Sequence, residues 1–278
     1  MRFRMPGSRA RRVPLGAAAI GAVTVLAAPA LAGVTPGPVM TPADGVNVYN
    51  ADVCGTNWVK GRTNSYYNYY NAPEGQAYTC LTAMRHRLDF QVTKVDYHGA
   101  WGYPNISSGW ESGINSCTGV KGTCFTYPVE EEHDGMPETS VDTWLARGTY
   151  NASYDIWFNK TDAHPAQDNG TEIMIWIAYP GIHRSFSRYV TIGGIRFGVM
   201  DWTAYNARTR THWHYVAYLA LHQRSSVKNL WLNEFFRNAI SNHELSPYWY
   251  LTGIDFGFEL VSGGMHDNVH YYSLTGVK

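Results

Sequence analysis

The chain alternates between apolar and polar residues over many short stretches, which is the pattern of β-strands with one buried face. Turn-forming Gly, Asn, Asp and Pro residues separate these stretches. The alternation predicts strands over residues 88–95, 150–158, 172–177, 195–202, 213–221 and 254–260. We therefore expect a protein built mainly of β-sheet.

One later stretch keeps helical spacing instead. Its apolar residues are Leu232, Phe235, Phe236, Ala239 and Ile240. Ser225 or Ser226 is the candidate N-cap of this helix. Many strands with one α-helix predict an all-β fold, a two-sheet β-jelly roll (a sandwich) whose concave face forms a substrate cleft.

Acidic residues in three predicted strands point away from the core. Neighbouring residues of a strand face opposite sides of the sheet. Where alternating isoleucines enter the core, Glu172, Met174 and Trp176 must face the other way. In the last predicted strand, Asp255 and Glu259 likewise oppose a row of Ile, Phe and Leu side chains.

The third such strand places Asp155 and Trp157 opposite Tyr154, Ile156 and Phe158. A single strand carboxylate of this kind is most often a solvated surface residue. Glu172, Asp155 and Glu259 share this phase, and the first two are close to a Trp in sequence, which favours a common cleft floor instead. A pair of carboxylates beside aromatic side chains is the arrangement that hydrolysis of a glycosidic bond requires.

Three motifs carry a resemblance to a known family. They read Tyr-Asn-Ala-Ser-Tyr-Asp-Ile-Trp, Thr-Glu-Ile-Met-Ile-Trp, and Trp-Tyr-Leu-Thr followed by Gly-Phe-Glu. From Cys54 to the C-terminus the chain resembles glycoside hydrolase family 12, jelly-roll endoglucanases and xyloglucanases, in its actinobacterial form. The resemblance implies that Glu172 is the nucleophile, that Glu259 is the general acid/base, and that Asp155 supports the nucleophile.

The resemblance also implies where substrate binds. Family members usually carry Asn-x-Trp shortly before the cysteine that matches Cys80, and the Trp stacks on a sugar. Here the stretch reads Asn71-Ala-Pro73, so Tyr69 or Tyr70 is the candidate replacement. The candidate substrate-binding residues are Asn71, Tyr69, Trp157, Met174 and Trp176.

The implied activity is that of a retaining endo-β-1,4-glucanase, a cellulase that cleaves internal bonds of cellulose or mixed-linkage glucan by double displacement. A xyloglucan-specific endo-β-1,4-glucanase is the close alternative. A catalytically silent glycan-binding jelly roll is the alternative from another class, and the intact carboxylates count against it. We expect no cofactor. We also expect no metal, because His212 and His214 have no third ligand at a spacing typical of a metal site.

The N-terminus has the features of an export signal. An arginine-rich start precedes an apolar run over residues 15–26, and Ala30-Leu-Ala32 offers a small-residue cleavage site. The apolar run is too short to span a membrane. We expect a signal peptide over residues 1–32, a flexible segment over 33–50 and a catalytic domain over 51–278, secreted and free of the membrane once the signal is removed.

Four cysteines in an exported chain predict two disulfides, for which three pairings exist. Their spacing favours Cys54 with Cys80 and Cys117 with Cys124, the arrangement that the resembling family also shows. The chain has 22 basic and 22 acidic residues, so it has no basic field that would attract nucleic acid. The expected partner is a β-glucan polysaccharide, bound by a monomer.

Overall fold

The computed structural model describes residues 51–54, 57–60, 65–70, 77–84, 87–95, 102–111, 114–115, 129–130, 135–161, 170–206, 210–263 and 267–277. Within these, side chains are described for residues 102–109, 137–161, 170–206, 210–262 and 267–276. The described chain forms two β-sheets and one α-helix, as the alternation predicts.

The larger sheet carries the candidate carboxylates. Its strands, in spatial order, are β12 (Arg188–Ile192), β13 (Ile195–Asn206), β14 (Thr211–Ala220), β11 (Thr171–Ala178), β10 (Gly148–Asn159), β16 (Tyr250–Gly263), β6 (Gly102–Glu111), β3 (Ser65–Tyr70) and β2 (Asn57–Lys60). Two short strands join this order, β7 (Ile114–Asn115) beside β6 and β8 (Val129–Glu130) beside β16. Neighbouring strands are antiparallel except β11 and β14, which are parallel.

The smaller sheet covers one face of the larger one. Its strands, in spatial order, are β1 (Ala51–Cys54), β4 (Ala77–Met84), β5 (Arg87–Val95), β17 (Asn268–Val277), β9 (Gly135–Trp144) and β15 (Ser226–Trp231). Helix α1 (Leu232–Ser241) follows β15 directly. The prediction of a two-sheet jelly roll with one helix is confirmed for the described residues.

Core packing confirms the predicted facing of the strands. Ile173 and Ile175 of β11, Ile156 of β10, and Ile254 and Phe256 of β16 all belong to one buried cluster. Aromatic rings of α1 complete it, with ring centroids 4.9 Å apart between Phe158 and Phe236 and 5.2 Å apart between Phe197 and Phe235. The alternate residues of the same strands must then face away from this core.

A second buried layer lies on the opposite face of the larger sheet, which we call the site face. Its members are Trp157, Met174, Trp176, Tyr179, Met200, Ala204, Trp213, Tyr215, Ala217 and Leu219. Aromatic and sulfur-containing side chains thus cover the face that carries the candidate carboxylates.

The predicted cap of the helix is wrong. Ser225 precedes β15 and Ser226 opens it, so neither reaches the helix end. Trp231 occupies the N-cap position and makes no side-chain capping hydrogen bond. The stretch before the helix is extended because it pairs with β9 as an edge strand, a tertiary contact that local sequence does not reveal.

Glu244, just beyond α1, anchors the helix to the larger sheet. Its buried carboxylate forms a two-pronged pair with Arg188 of β12, with N–O distances of 2.6 and 2.7 Å. Its carbonyl accepts a hydrogen bond from the hydroxyl of Thr171, the residue before Glu172. The start of β11 is therefore fixed from the core side as well as by its neighbouring strands.

Cys54 and Cys80 occupy directly opposed positions in the antiparallel pair of β1 and β4. Opposed Cα atoms of such a pair lie about 4.5–5.5 Å apart, within the span of a disulfide. Cys117 and Cys124 lie outside the described residues. We expect non-reducing peptide mapping to recover a Cys54–Cys80 peptide, whereas a Cys54–Cys117 peptide or free thiols would contradict the predicted pairing.

Asp267 carries a fully buried carboxyl that accepts a hydrogen bond from the backbone N–H of Ala146. Desolvation raises the pKa of Asp267 to about 7, although the hydrogen bonds of Ala146 and Tyr150 oppose the shift. The folded protein therefore binds this proton more tightly than the unfolded chain, whose aspartates titrate near ~4. The contribution of Asp267 to stability is complete at low pH and declines as the pH rises from about 4 to 7.

Asp267→Asn, which imitates the protonated acid, is expected to remove this pH dependence. Thermal unfolding should show the variant more stable than the parent at pH 8, by on the order of 1–3 kcal/mol, and nearly equal to it at pH 4. Asp142→Asn, at an exposed position of β9, is the matched control. Equal losses of stability between pH 4 and pH 8 in Asp267→Asn and the parent would contradict the assignment.

Candidate active site

Three neighbouring strands bring the candidate carboxylates to the site face. β10 lies between β11 and β16, so it shares register with both. Glu172 of β11 is opposite Trp157, and Glu259 of β16 is opposite Asn151. Asp155 lies on β10 between these two positions, diagonal to Glu172.

Tyr215 adjoins the candidate nucleophile on the site face. Tyr215 lies on β14, opposite Glu172, and is fully buried. Burial raises its pKa well above the usual value, and the charges of Glu172, Glu259 and Asp155 raise it further. Tyr215 therefore stays neutral, and its hydroxyl donates a hydrogen bond to the sulfur of Met174 at 3.0 Å. The register of β14, β11, β10 and β16 brings all three acids to neighbouring strands of the site face.

Glu172 is held rigidly at the floor of this site. Its side chain is only 2% exposed. The indole N–H of Trp213 donates a hydrogen bond to its Oε2 at 2.6 Å. Such a donor orients the carboxylate and stabilises its negative charge. A fixed, charged oxygen is what attack on an anomeric carbon needs.

Glu259 is oriented through a chain of polar side chains. The hydroxyl of Ser153 donates to Oδ1 of Asn151 at 2.7 Å, so Nδ2 of Asn151 faces Glu259. Nδ2 then donates to Oε2 of Glu259 at 2.5 Å. The hydroxyl of Tyr103 holds the same strand by donating to the carbonyl of Ser153 at 3.1 Å. Because Oε2 accepts the amide N–H, a protonated Glu259 carries its transferable proton on Oε1.

Opposing influences act on the pKa of Glu259, whose side chain is partly buried. Desolvation raises the pKa of Glu259 above its usual value, while the hydrogen bond from Asn151 and the charge of Arg184 lower it. Gly257, two residues earlier, leaves no room for a side chain, because a Cβ there would meet the carbonyl of Pro104. Strand β6 can therefore lie close against β16 beside this glycine.

Arg184 brings a positive charge to this site from the loop between β11 and β12. Its guanidinium lies over the ring of Trp176, 5.8 Å from the centroid. The same charge acts on Glu259 and Tyr215. Arg184 therefore sits at the site face, beside the candidate acid.

Replacing Arg184 with Gln is expected to raise the pKa of Glu259, because a charge that favours the carboxylate is lost. Since the candidate general acid must be protonated to act, the alkaline limb of kcat/KM should move to higher pH. Arg196→Gln is a matched control, because Arg196 also covers an aromatic ring, that of Tyr189. An alkaline limb that stays in place or moves to lower pH in Arg184→Gln would contradict the assignment.

The predicted substrate-binding residues fall in different places. Trp157, Met174 and Trp176 all lie on the site face, as predicted, but each is buried. Trp176 donates its indole N–H to the sulfur of Met174 at 3.3 Å. The backbone of Tyr69 lies in β3, and Asn71 lies outside the described residues. The three buried side chains thus form the packed floor of the site.

Sequence reasoning missed the residues that orient the acids. Trp213 lies in a predicted strand. It alternates with the apolar positions of Val216 and Tyr218, and this alternation could have assigned it to the site face. Asn151 appears in the sequence as the start of an Asn-Ala-Ser glycosylation signal, yet it is buried and bonded to Glu259. Neither partner could be identified without the pairing of the strands.

The described residues contain no candidate metal site and no candidate membrane-spanning helix. No three His, Cys, Asp or Glu side chains among them are grouped so that they could hold a metal ion. Within the same part of the chain, no helix has the length and apolar character that a membrane crossing needs.

Paired carboxylates beside aromatic side chains on one face of a β-sandwich are compatible with hydrolysis of a glycosidic bond, which uses two carboxyl groups. The sequence profile of glycosyl hydrolase family 12 matches residues 63–275, and the chain belongs to this family. Among curated proteins it is 26% identical over 174 residues to endoglucanase S of Pectobacterium parmentieri, covering 60% of this chain and 62% of that protein. The chain thus spans less than two thirds of that relative.

Solved structures share the fold. Endoglucanase Cel12A from Rhodothermus marinus has 26% sequence identity and a TM-score of 0.67, covering 81% of this chain and 98% of that one. The family 12 xyloglucanase from Bacillus licheniformis has a TM-score of 0.71 at 21% identity, covering 81% and 100%. The resemblance inferred from the three motifs is confirmed.

Proposed function

We propose that this protein is a secreted, retaining endo-β-1,4-glucanase. Glu172 is the nucleophile, Glu259 the general acid/base and Asp155 the partner of the nucleophile. The observation that carries the proposal is the strand register that brings Glu172, Asp155 and Glu259 to the site face of three neighbouring strands, β11, β10 and β16. Family membership and the likeness to an endoglucanase of Rhodothermus marinus support it.

In the first half of the reaction, Glu172 attacks the anomeric carbon and its carboxylate becomes a glycosyl ester. Glu259 donates the proton of Oε1 to the departing glycosidic oxygen, so the leaving sugar departs as a neutral alcohol. The desolvation that raises the pKa of Glu259 favours the protonated form that this step needs. The hydrogen bond from Trp213 holds Glu172 in position for attack.

In the second half, the roles of Glu259 change. It is now a carboxylate and removes a proton from water, which attacks the anomeric carbon and releases Glu172. The hydrogen bond from Asn151 and the charge of Arg184 favour this ionised form. Two inversions at the same carbon retain the configuration of the sugar.

The opposing influences on Glu259 fit this double role. Desolvation favours the protonated acid of the first step, and Asn151 with Arg184 favours the base of the second. A group that must donate and then accept a proton works best when neither form is strongly preferred. We assign Asp155, which lies diagonal to Glu172 on the neighbouring strand, the role of orienting the nucleophile.

The expected substrate is an internal β-1,4 bond of cellulose or mixed-linkage glucan. A floor of Trp157, Met174 and Trp176 beside the acids suits the apolar faces of sugar rings. Export by a signal peptide over residues 1–32 would place the enzyme where polysaccharide is found. The proposed enzyme acts as a monomer.

N-terminal sequencing of the secreted protein is expected to begin at Gly33.

A reducing-end assay on carboxymethyl-cellulose, mixed-linkage glucan and xyloglucan tests the proposal. We expect rapid release of reducing ends from the first two, with a fall in viscosity that shows internal cleavage. A clear preference for xyloglucan would replace the proposal with its xyloglucanase alternative. Binding of all three polymers without any new reducing ends would favour the glycan-binding alternative.

A further inference from the structure

Trp202 is an exposed aromatic side chain on the site face to which the proposed mechanism gives no role. It lies on β13 between Met200 and Ala204, both buried members of the site-face layer. Trp202 itself is 37% exposed. A large apolar ring is therefore open to solvent within a surface that is otherwise packed.

The ring of Trp202 is held in a fixed orientation by Tyr215. The two residues are directly opposite in the pair of β13 and β14. Their ring centroids are 4.1 Å apart, with an angle of 30° between the planes. Tyr215 is immobilised by its full burial and by its hydrogen bond to Met174. One face of Trp202 is thus supported, and the rest of its surface is presented to the site face.

Trp202 also lies in line with the proposed nucleophile. Trp202 is opposite Tyr215, and Tyr215 is opposite Glu172, so the three residues form one row across β13, β14 and β11. Two strand spacings separate the backbones of Trp202 and Glu172 by about 10 Å. This is a span of a few sugar rings along a glucan that crosses the strands.

The edge of the sheet leaves this position accessible. β12 pairs with β13 only from Ile195 to Val199. At Trp202 the described strand β13 therefore has β14 on one side only, and the ring forms a rim of the site face.

We infer that Trp202 is a substrate-stacking platform that binds a glucosyl unit remote from the cleaved bond, on the side of β11 that faces away from β16. The inference rests on the proposed function, since it assigns a sugar subsite to the same cleft. Flat aromatic surfaces bind the apolar faces of pyranose rings, and a ring already packed on Tyr215 loses little freedom when it does so.

Trp144, another exposed aromatic residue, does not share this setting. Trp144 is 60% exposed but lies on β9 of the smaller sheet. Isolated exposed apolar side chains of that kind are common and need no function. Trp144 therefore provides a matched control.

The test is direct binding of cello-oligosaccharides of increasing length to Trp202→Ala in a Glu172→Gln background, by calorimetry. We expect affinity for the longer oligosaccharides to fall roughly threefold to tenfold, with a smaller loss for the shortest, and Trp202→Phe to recover most of it. Trp144→Ala in the same background should bind as the Glu172→Gln protein does. Thermal unfolding of each variant separates a change in binding from a change in folding.

The inference would be overturned if Trp202→Ala bound cello-oligosaccharides of every length as tightly as its Glu172→Gln background does. It would also be overturned if the loss of affinity were the same at every length. Because binding is measured without turnover, this result is separate from the assay of the proposed function. If the protein had no glucanase activity but Trp202→Ala still weakened the binding of long oligosaccharides, the proposed activity would be refuted and the subsite would be retained.

Discussion

Glu172→Gln is expected to abolish turnover on every β-glucan, lowering kcat by about 10⁴-fold or more. The amide of the variant cannot form the glycosyl ester with the sugar. The amide oxygen can still accept the hydrogen bond from Trp213, so the site should keep its shape. Activity on polysaccharide and on aryl cellobiosides measures the loss.

Glu138→Gln is the matched control, because Glu138 is also a strand glutamate but lies on β9 of the smaller sheet. It should retain the parent's activity. Glu172→Gln with more than a tenth of the parent's activity and an unchanged melting temperature would exclude Glu172 as the nucleophile.

Glu259→Gln is expected to separate the two halves of the reaction. Turnover of polysaccharide should fall by about 10²–10⁴-fold, because the sugar leaving group departs without a proton. An aryl cellobioside with an acidic phenol needs no such proton, so the glycosyl-enzyme should still form and accumulate. Intact-protein mass spectrometry would detect it as an added cellobiosyl mass.

The same experiment distinguishes Glu259 from a residue with a merely structural role. A structural defect would lower the rate on aryl and polysaccharide substrates by similar factors. Asn151→Ala offers a graded comparison, since it removes the hydrogen bond that orients Glu259 but keeps the carboxyl group. An equal loss on both substrate classes in Glu259→Gln would contradict its role as the acid.

The sequence alone predicts the strands and their two faces, since alternation with a period of two directly determines which side chains enter the core. For this reason Glu172, Glu259 and Asp155 appear on the site face as expected. Family resemblance adds their chemical roles, which alternation cannot provide.

Contacts between strands could not be predicted in the same way. Trp213 reaches Glu172 and Asn151 reaches Glu259 only because of the order and register of β14, β11, β10 and β16. The position of Trp202 could not be predicted for the same reason. It lies in one row with Tyr215 and Glu172 across three strands, although these residues are far apart in sequence. The missed N-cap has the same cause, because pairing with β9 overrides the local signal at Ser226.

The stereochemistry of the first product tests the central assignment most directly. Proton NMR during the first minutes of hydrolysis, before mutarotation, should show the β-anomer of the new reducing end. That result requires double displacement through an ester of Glu172, with Glu259 as acid and then base. An initial α-anomer would mean that water attacks directly between more widely separated carboxylates, and it would contradict Glu172 as the nucleophile.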